Sequence, residues 1–365
     1  MNIRIIRGVR PLLKTGAGIL AARGRRIYLY DARLERGRHL ASLPSTGLRS
    51  LARRFRLGRR LLRTDPTQAV ALGDGGALIN DGRRLWEIDL ASGAITLSLE
   101  IPEGRKALHL ASITGLSGVE DGTWFGEYFS NPDKKPVGIW HRPPNGRWRR
   151  VFEFGDGEIN HVHALVADRF RDCVWLMTGD FDDAPGLWQA DRGIASMRPV
   201  LRGKQLHRAC WIWPREDGLI YATDTPLERN YLCRLTEADG QWHIEKMDEL
   251  PGSSIYSVQD DNQVYFSTVI EPGEWQGSFL RNVITRKRGP GILDDYARIY
   301  GYSSRGLRQL VQARQDIWPL PLFQFGTYHF CASPEGQSGV LAYGVGLKGH
   351  DDHLLVIPDC SQDLE

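Results

Sequence analysis

Two histidines placed two residues apart are the first feature of this sequence that points to chemistry. His161 and His163 stand in the run NHVHAL (160–165), whose apolar alternation predicts a β-strand. Side chains at positions i and i+2 of a strand project from the same face, so the two imidazoles are expected side by side. Imidazole binds metals and accepts protons, and a pair on one face therefore marks a candidate site.

Further polar residues stand where neighbouring apolar runs begin or end. As catalytic residues we predict His161, His163, Glu127, Asp180 and Tyr128. As residues that bind substrate we predict Arg208, His207, Asp224 and His329.

Three kinds of chemistry suit this set. Histidines and carboxylates are ligands of divalent metals such as manganese, iron or zinc, and His161 and His163 would then hold the ion. Alternatively, one histidine is a general base or acid that Asp180 orients, while Arg208 binds a carboxylate of the substrate. Glu127 and Asp180 would also suit the paired carboxylates of a glycosidase. The structural alternative is that these groups join adjacent strands by hydrogen bonds.

Short apolar runs bounded by Gly, Asp, Asn and Pro recur along the chain and predict the elements that position these residues. The recurring units are 11–45, 68–104, 108–155, 160–203, 206–252, 254–316 and 322–360. Repeats of this size predict a β-propeller. We therefore expect an all-β, single-domain propeller over residues 1–365 with seven blades, six or eight being the alternatives. The N-terminal run MNIRII would complete the last blade and so hide an exposed strand edge.

Propeller geometry explains why residues so far apart in sequence should meet. The innermost strand of a blade begins on the face of the disc at which the second strand ends. We therefore expect the histidines of blade four to lie beside the acids of blades three to five, at one mouth of the central channel. His329, at the start of the last blade, would face the same mouth.

Two segments interrupt the repeat. The insert 46–66 contains the basic stretch 49–63, with seven arginines and no acid, and Leu48, Leu51, Phe55 and Leu62 stand near helical spacing. We expect an amphipathic helix that Gly58 interrupts; it either covers a blade or contacts an acidic membrane or anionic polymer. The second segment, 271–296, reads as a long loop. The run His350–His353 has metal-ligand residues but is expected to be a solvated turn.

Composition narrows the function classes. A net charge of +3 does not call for a nucleic-acid partner. Five cysteines without CxxC spacing argue against a disulfide framework or a cysteine zinc site. The chain has no apolar stretch of membrane-spanning length and no signal-peptide pattern, so a soluble, cytoplasmic protein is expected. It also has no P-loop, dinucleotide fingerprint or GxSxG motif.

The middle third of the chain resembles the sialidase-like propellers of the BNR-repeat superfamily, especially bacterial members found with polysaccharide genes. The resemblance is carried by FGEYFSNP (125–132), PVGIWHRPPNGRW (136–148), HVHALVADRFRDCVWLMTGD (161–180) and LIYATDT (219–225). The turn 144–148 is similar to an Asp-box that keeps Gly146 and Trp148 but lacks the Ser and Asp. The resemblance implies six or seven blades and a carbohydrate ligand. The arginine triad and Tyr/Glu pair of true sialidases are not found at matching positions.

Together these observations favour a carbohydrate-active enzyme, a lyase or glycosidase, that acts on an acidic bacterial polysaccharide or glycan. A divalent metal is a possible cofactor. The alternative is a non-catalytic propeller that binds a glycan or scaffolds polysaccharide assembly. A third candidate is a phosphate-ester or lactone hydrolase with a metal in its channel.

Overall fold

The computed structural model describes residues 3–44, 55–259, 263–273, 282–331 and 339–358. Nearly all of the regular structure in these ranges is β-strand. Within them, no helix is both long and apolar enough to cross a lipid bilayer.

The strands form seven antiparallel sheets that follow one another along the chain. Blade 1 contains β2 (Arg10–Thr15), β3 (Gly18–Arg23), β4 (Arg26–Tyr30) and β5 (Gly37–Ser42). Blade 2 contains β6 (Gln68–Ala71), β7 (Gly76–Asn80), β8 (Arg84–Asp89) and β9 (Ile95–Glu100). Blade 3 contains β10 (Lys106–Ala107) and β11 (Ala111–Ile113), which share the innermost position, β12 (Gly122–Tyr128), β13 (Val137–Arg142) and β14 (Arg149–Phe154).

Blade 4 contains β15 (His161–Asp168), β16 (Cys173–Gly179), β17 (Gly186–Ala190) and β18 (Arg198–Arg202). Blade 5 contains β19 (Ala209–Arg215), β20 (Gly218–Thr223), β21 (Asn230–Ala238) and β22 (Gln241–Leu250). Blade 6 contains β23 (Ser254–Gln259), β24 (Val264–Thr268), β25 (Tyr296–Ser303) and β26 (Gly306–Arg314). Blade 7 contains β27 (Thr327–Phe330), β28 (Val340–Val345), β29 (His353–Ile357) and, from the N-terminus, β1 (Arg4–Arg7).

The fold is a seven-bladed β-propeller, which confirms the predicted fold class and selects seven blades over six or eight. The predicted units agree closely with the sheets; the unit expected at 160–203, for example, contains strands from His161 to Arg202. The N-terminal strand completes the last blade as expected, because Arg4 to Arg7 of β1 pair with Val356 to His353 of β29.

The residues group into two compact units, one of Met1–Ser98 with Tyr256–Glu365 and the other of Leu99–Ile255. The second unit contains blades 3, 4 and 5, whose inner strands pack side by side. Between blades 4 and 5, buried Trp175 and Met177 pack in one cluster with Ile212 and Tyr221. Complete burial of such a side chain contributes about 1.5–3 kcal/mol, so this packing holds the strand ends of the two blades in fixed positions.

The basic insert contributes a short helix, α1 (Arg56–Leu62), to the first unit. The expectation that Gly58 interrupts the helix is wrong, since α1 runs through it. Arg60 is only 1% exposed; it contacts Asp316 and donates from Nε to the carbonyl oxygen of Phe323 at 2.7 Å. The helix is therefore anchored by a buried guanidinium rather than by an apolar stripe.

Other arginines of the insert are also paired with acids. Nη2 of Arg56 donates to Asp351 Oδ1 at 2.8 Å, and Nη2 of Arg59 donates to Asp352 Oδ2 at 3.1 Å. These bonds give the two aspartates of the run 350–353 a structural role, in place of the solvated turn that was expected. Leu48 and Leu51 lie outside the described residues. Contact of 49–63 with a membrane stays a prediction.

The segment 271–296, predicted to be a long loop, lies between β24 and β25, and its residues 274–281 lie outside the described residues. An isolated bridge joins Pro272 to Arg288 within it. Arg288 also forms an ion pair with Asp295, at 2.9 Å.

Candidate functional site

The predicted catalytic histidines lie in the second unit, where the strand ends of blade 4 meet. β15 begins at His161, and β16 ends at Gly179, directly before Asp180. The two strands are antiparallel, and His161 is paired with Gly179. The structure therefore brings His161, His163 and Asp180 together.

A bulge in β15 adjusts the direction of the second histidine. Val162 pairs with Thr178 and Ala164 pairs with Met177, so His163 is the extra residue of the bulge. Bulges bend a strand and redirect a side chain, and they are frequent beside functional sites. The ring of His163 lies against Gly179, where a Cβ atom would overlap it, so this position requires glycine.

Three side-chain atoms converge at this point. The Nε2 atoms of His161 and His163 are 3.0 Å apart, and Oδ1 of Asp180 lies 3.2 Å from the first and 3.1 Å from the second. Both imidazoles are almost fully buried, whereas the Asp180 side chain is 16% exposed. The carboxylate is therefore the member of this cluster through which solvent has access.

Backbone carbonyls fix the tautomer of both rings. Nδ1 of His161 lies 3.0 Å from the Phe129 oxygen, and Nδ1 of His163 lies 2.8 Å from the Ala209 oxygen. A carbonyl oxygen only accepts hydrogen bonds, so each Nδ1 carries the hydrogen and donates it. In the neutral rings the two Nε2 atoms that face each other consequently carry lone pairs.

Asp180 is held in position by its neighbours. Its backbone nitrogen donates to Asn160 Oδ1 at 2.8 Å, and Gln205 Nε2 donates to its carbonyl oxygen at 2.8 Å. The peptide bond between Gly179 and Asp180 is cis. Burial by itself would raise the pKa of Asp180, but the positive charge of Arg208 and the contacts with the histidines outweigh it and hold the pKa well below its ordinary value. The carboxyl group is therefore ionised.

Arg208 joins two carboxylates across blades 4 and 5. Its Nη2 lies 3.0 Å from Asp180 Oδ1, and its Nε donates to Asp224 Oδ2 at 3.2 Å. The arginine is only 6% exposed. Arg208 therefore orients Asp180. We expected its guanidinium to bind a carboxylate of the substrate, but the group is buried and already contacts two acidic side chains.

Asp224 and Cys210 complete this side of the site. Sγ of Cys210 lies 3.2 Å from Asp224 Oδ2, a contact in which the thiol donates. Burial, and after it the charge of Asp224, raises the pKa of Cys210 well above its ordinary value. The other carboxylate oxygen, Oδ1 of Asp224, is buried without a hydrogen-bond partner among the described residues. Asp224 thus braces Arg208 and is bonded through Oδ2 to both Arg208 and Cys210.

Glu127 belongs to a different network. Its carboxylate accepts from the Gly138 backbone nitrogen at 2.7 Å and from Trp140 Nε1 at 2.8 Å, and it also contacts Arg105 and Arg150. It is 2% exposed. The expectations that Glu127 orients the histidines or pairs with Asp180 are therefore wrong, because its oxygens are bonded on the other face of β12.

Tyr128 occupies the place next to the histidines instead. Its ring centroid lies 4.3 Å from that of His161 and 6.2 Å from that of His163. Adjacent residues of a strand project to opposite faces, which separates Tyr128 from Glu127. Of the two residues predicted at the end of β12, the tyrosine is thus the one beside the site.

The two remaining predicted residues have other surroundings. His207 is 7% exposed, its Nδ1 has no hydrogen-bond partner among the described residues, and burial lowers its pKa. His329 lies on β27 in the first unit, and its ring centroid is 3.9 Å from that of Tyr256. Their part in substrate binding stays a prediction.

Sequence reasoning missed the amides that brace the site. Asn160 and Asn131 exchange hydrogen bonds, each donating from Nδ2 to the carbonyl oxygen of the other at 2.9 and 2.8 Å. Asn160 is buried and directly precedes His161 at the start of a strand. Asparagine side chains often bond to nearby backbone groups, so its position next to the histidines is a sequence signal that could have identified it. Gln205 lies between β18 and β19, and nothing in the sequence around it indicated a role in the site.

Comparison with known proteins gives similarity in fold and identifies no family for the chain. No protein-family model matches the chain, and no curated protein matches it. The chain is similar to a chain in a crystal structure of a mitotic checkpoint complex, with a TM-score of 0.53, 11% identity and coverage of 97% of this chain and 94% of that one. It is also similar to the AfRom2 CNH domain, with a TM-score of 0.51, 6% identity and the same coverage of 97% and 94%. At these identities the likeness concerns the fold alone, and no match supports the resemblance to sialidase-like propellers or an association with polysaccharides.

Proposed function

We propose that this propeller is a carbohydrate-active enzyme, a lyase or glycosidase, that acts on an acidic glycan at the cluster of His161, His163 and Asp180. The observation that carries the proposal is the convergence of two imidazole Nε2 atoms and one carboxylate oxygen within 3.0–3.2 Å. The sequence resemblance described above supplies the carbohydrate as substrate class.

The cluster suits proton abstraction. In its neutral form each ring has a lone pair on Nε2 and is held by its Nδ1 bond to a backbone carbonyl, as a general base requires. The negative charge of Asp180 would stabilise the imidazolium that forms, and Arg208 keeps the carboxylate in place. Such a base contributes about 10²–10⁴-fold to a rate.

The arrangement favours a lyase over a glycosidase. A glycosidase of the common type needs two carboxyl groups on opposite sides of the scissile bond. Glu127 is bonded within its own network, and Asp224 is buried with its Oδ2 bonded to Arg208 and Cys210, so neither is placed as the second carboxylate. A lyase needs only a base and a proton donor.

In the proposed reaction a histidine Nε2 takes the proton from the carbon next to the uronate carboxylate. The electron pair of that C–H bond forms a carbon–carbon double bond, and the glycosidic C–O bond at the following carbon breaks. The leaving oxygen keeps the electrons of that bond and takes up a proton. Tyr128, whose ring lies beside His161, is the candidate proton donor.

The experiment is a screen of purified protein against polygalacturonate, alginate and glucuronan. A lyase produces unsaturated uronic acids, seen as new ultraviolet absorbance, whereas a glycosidase produces reducing ends without it. We expect His163→Asn to reduce turnover by about 10²-fold or more. Asparagine can still donate to the Ala209 oxygen, so the variant removes Nε2 and keeps the structural hydrogen bond.

The matched control is His243→Asn, at an exposed position on β22 of the same unit. This variant should turn over the substrate at the wild-type rate. Binding of a glycan without product would refute the catalytic proposal and favour the scaffold alternative. Equal activity of the His163→Asn and wild-type proteins would remove the histidine cluster as the active site.

A further inference from the structure

We propose that a divalent transition-metal ion binds to His161 Nε2, His163 Nε2 and Asp180 Oδ1. Ligand atoms of these three residues all lie within 4.8 Å of one another. The ion deepens the proposed function, and its role in turnover rests on that function. An ion that takes both Nε2 lone pairs leaves neither imidazole as the general base, so in the metal-loaded protein Tyr128, whose ring lies beside His161, would take the proton instead.

The first argument concerns which nitrogen of each imidazole carries the hydrogen. Both imidazole hydrogens are at Nδ1 and are donated to carbonyl oxygens. In neutral rings the two Nε2 atoms therefore face each other and the Asp180 oxygen without a hydrogen of their own. Their separations of 3.0–3.2 Å suit a cation that lies between the three atoms.

The second argument is the shape of the triangle. Ligand atoms about 2.1 Å from a metal lie about 3.0 Å apart when they subtend a right angle at the ion. The three separations of 3.0, 3.1 and 3.2 Å match the edges of one face of an octahedron. Two histidines and one carboxylate on one face, with the remaining positions open, are a known ligand set for divalent iron.

The third argument is the surroundings of the ligands. Metal-binding histidines generally donate their other N–H to a carbonyl or carboxylate, and metal-binding carboxylates are themselves hydrogen-bonded. Both features are present here, through Phe129, Ala209 and Arg208. In addition, Arg208 is shared between two carboxylates, Asp180 and Asp224.

The donor set indicates the class of ion. Two imidazole nitrogens and one carboxylate oxygen suit zinc, manganese, iron, cobalt or nickel, whereas calcium and magnesium prefer oxygen ligands alone. A second candidate set, His163 with Cys210 and Asp224, is less suitable. Its His163 Nδ1 is used by Ala209, and its thiol hydrogen points to Asp224.

An ion at this place would supply the positive charge that Arg208 does not offer. Carboxylate oxygens are ligands for the open positions of such an ion. The substrate class of the proposed enzyme, an acidic sugar, would thus bind through its carboxylate. Removal of the neighbouring proton is easier when that carboxylate is neutralised by the ion.

The test is direct metal binding by the full chain after treatment with a chelator. Zn²⁺, Mn²⁺ and Co²⁺ are each titrated in by calorimetry, and the visible absorption of bound Co²⁺ reports nitrogen ligands. We expect one ion per chain for at least one of these metals. His161→Asn and His163→Asn should each reduce the affinity by about 100-fold or more, because they remove a ligand, while Arg208→Met should reduce it by about 10–100-fold through the position of Asp180.

His243→Asn is again the matched control and should bind as the wild type does. Circular dichroism and the urea midpoint of each variant establish that it is folded. Two results would overturn the proposal: no stoichiometric binding of any of the three ions, or equal affinity in the wild type and in the His161→Asn/His163→Asn double variant. In the first case a proton shared by the two rings supplies the positive charge instead.

The proposed metal site and the proposed enzymatic activity can be refuted independently of each other. Stoichiometric metal without any glycan product leaves the metal site standing and refutes the enzyme. Full turnover by metal-free protein refutes a role of the ion in turnover and leaves the enzyme standing.

Discussion

The structure gives the buried carboxylate of Glu127 a structural role rather than a catalytic one, and its replacement by glutamine tests this assignment. The carboxylate accepts from the Trp140 indole and the Gly138 backbone nitrogen and forms an ion pair with Arg105. Glutamine has nearly the same shape but only one accepting oxygen. Whichever way the amide turns, its NH₂ group faces a buried donor.

The size of the effect follows from these contacts. A buried donor left without an acceptor costs about 1–3 kcal/mol. Removal of one partner of a buried ion pair costs about 3–5 kcal/mol. Arg105 keeps two other partners, Glu103 and the Pro136 carbonyl oxygen, so its share is smaller. We therefore expect Glu127→Gln to lower the free energy of unfolding by about 2–4 kcal/mol.

The pH dependence of this loss is a second part of the prediction. Burial by itself would raise the pKa of Glu127, but the bonds from Trp140, Gly138 and Arg105 outweigh it and hold the pKa below the ordinary 4.5. A carboxyl whose pKa is lower in the folded state contributes its stability above the unfolded pKa and loses it as the pH falls through the folded pKa. The difference between the wild type and Glu127→Gln should therefore be complete at neutral pH and shrink below about pH 4.

Urea denaturation followed by tryptophan fluorescence measures the loss, at pH 7 and in steps down to pH 3. The control is Glu245→Gln, at an exposed position on β22, which should change stability by less than about 0.5 kcal/mol. The folded Glu127→Gln protein should keep its Co²⁺ binding and any lyase activity. Unchanged stability together with lost turnover would refute the assignment of Glu127 to the structure.

Two further predictions concern other parts of the molecule. Arg60→Met should lower the free energy of unfolding by about 3–5 kcal/mol in urea denaturation, because Asp316 and the Phe323 carbonyl oxygen lose the guanidinium that they contact. A loss below about 1 kcal/mol would contradict the anchoring role of Arg60. In a Cys360→Ser protein, a thiol reagent should label no cysteine in the native state and four after denaturation, since the remaining thiols are buried and burial raises the pKa of Cys173 to about 11. Rapid labelling of any of these four in the native protein would show that its blade opens.

The sequence by itself predicted the blades because their signal is local. Each second strand is a short apolar run between turn residues, and this pattern depends only on neighbours in the chain. The closing strand Arg4–Arg7 could also be predicted, since an unpaired edge on the last blade requires a partner. The meeting of His161, His163 and Asp180 followed from the same reasoning, because antiparallel strands place the start of one beside the end of the next.

The tertiary structure alone decided which polar groups face one another. Alternation along β12 separates Glu127 from Tyr128, but only the pairing of that strand with its neighbours shows that the tyrosine lies beside the histidines. The bulge at His163 likewise depends on the register with β16, which no local pattern specifies. Arg208 is occupied by two carboxylates for the same reason. Apolar periodicity determines where strands form, whereas the partners of a buried charge are set by register and by packing between blades, and these are properties of the folded chain.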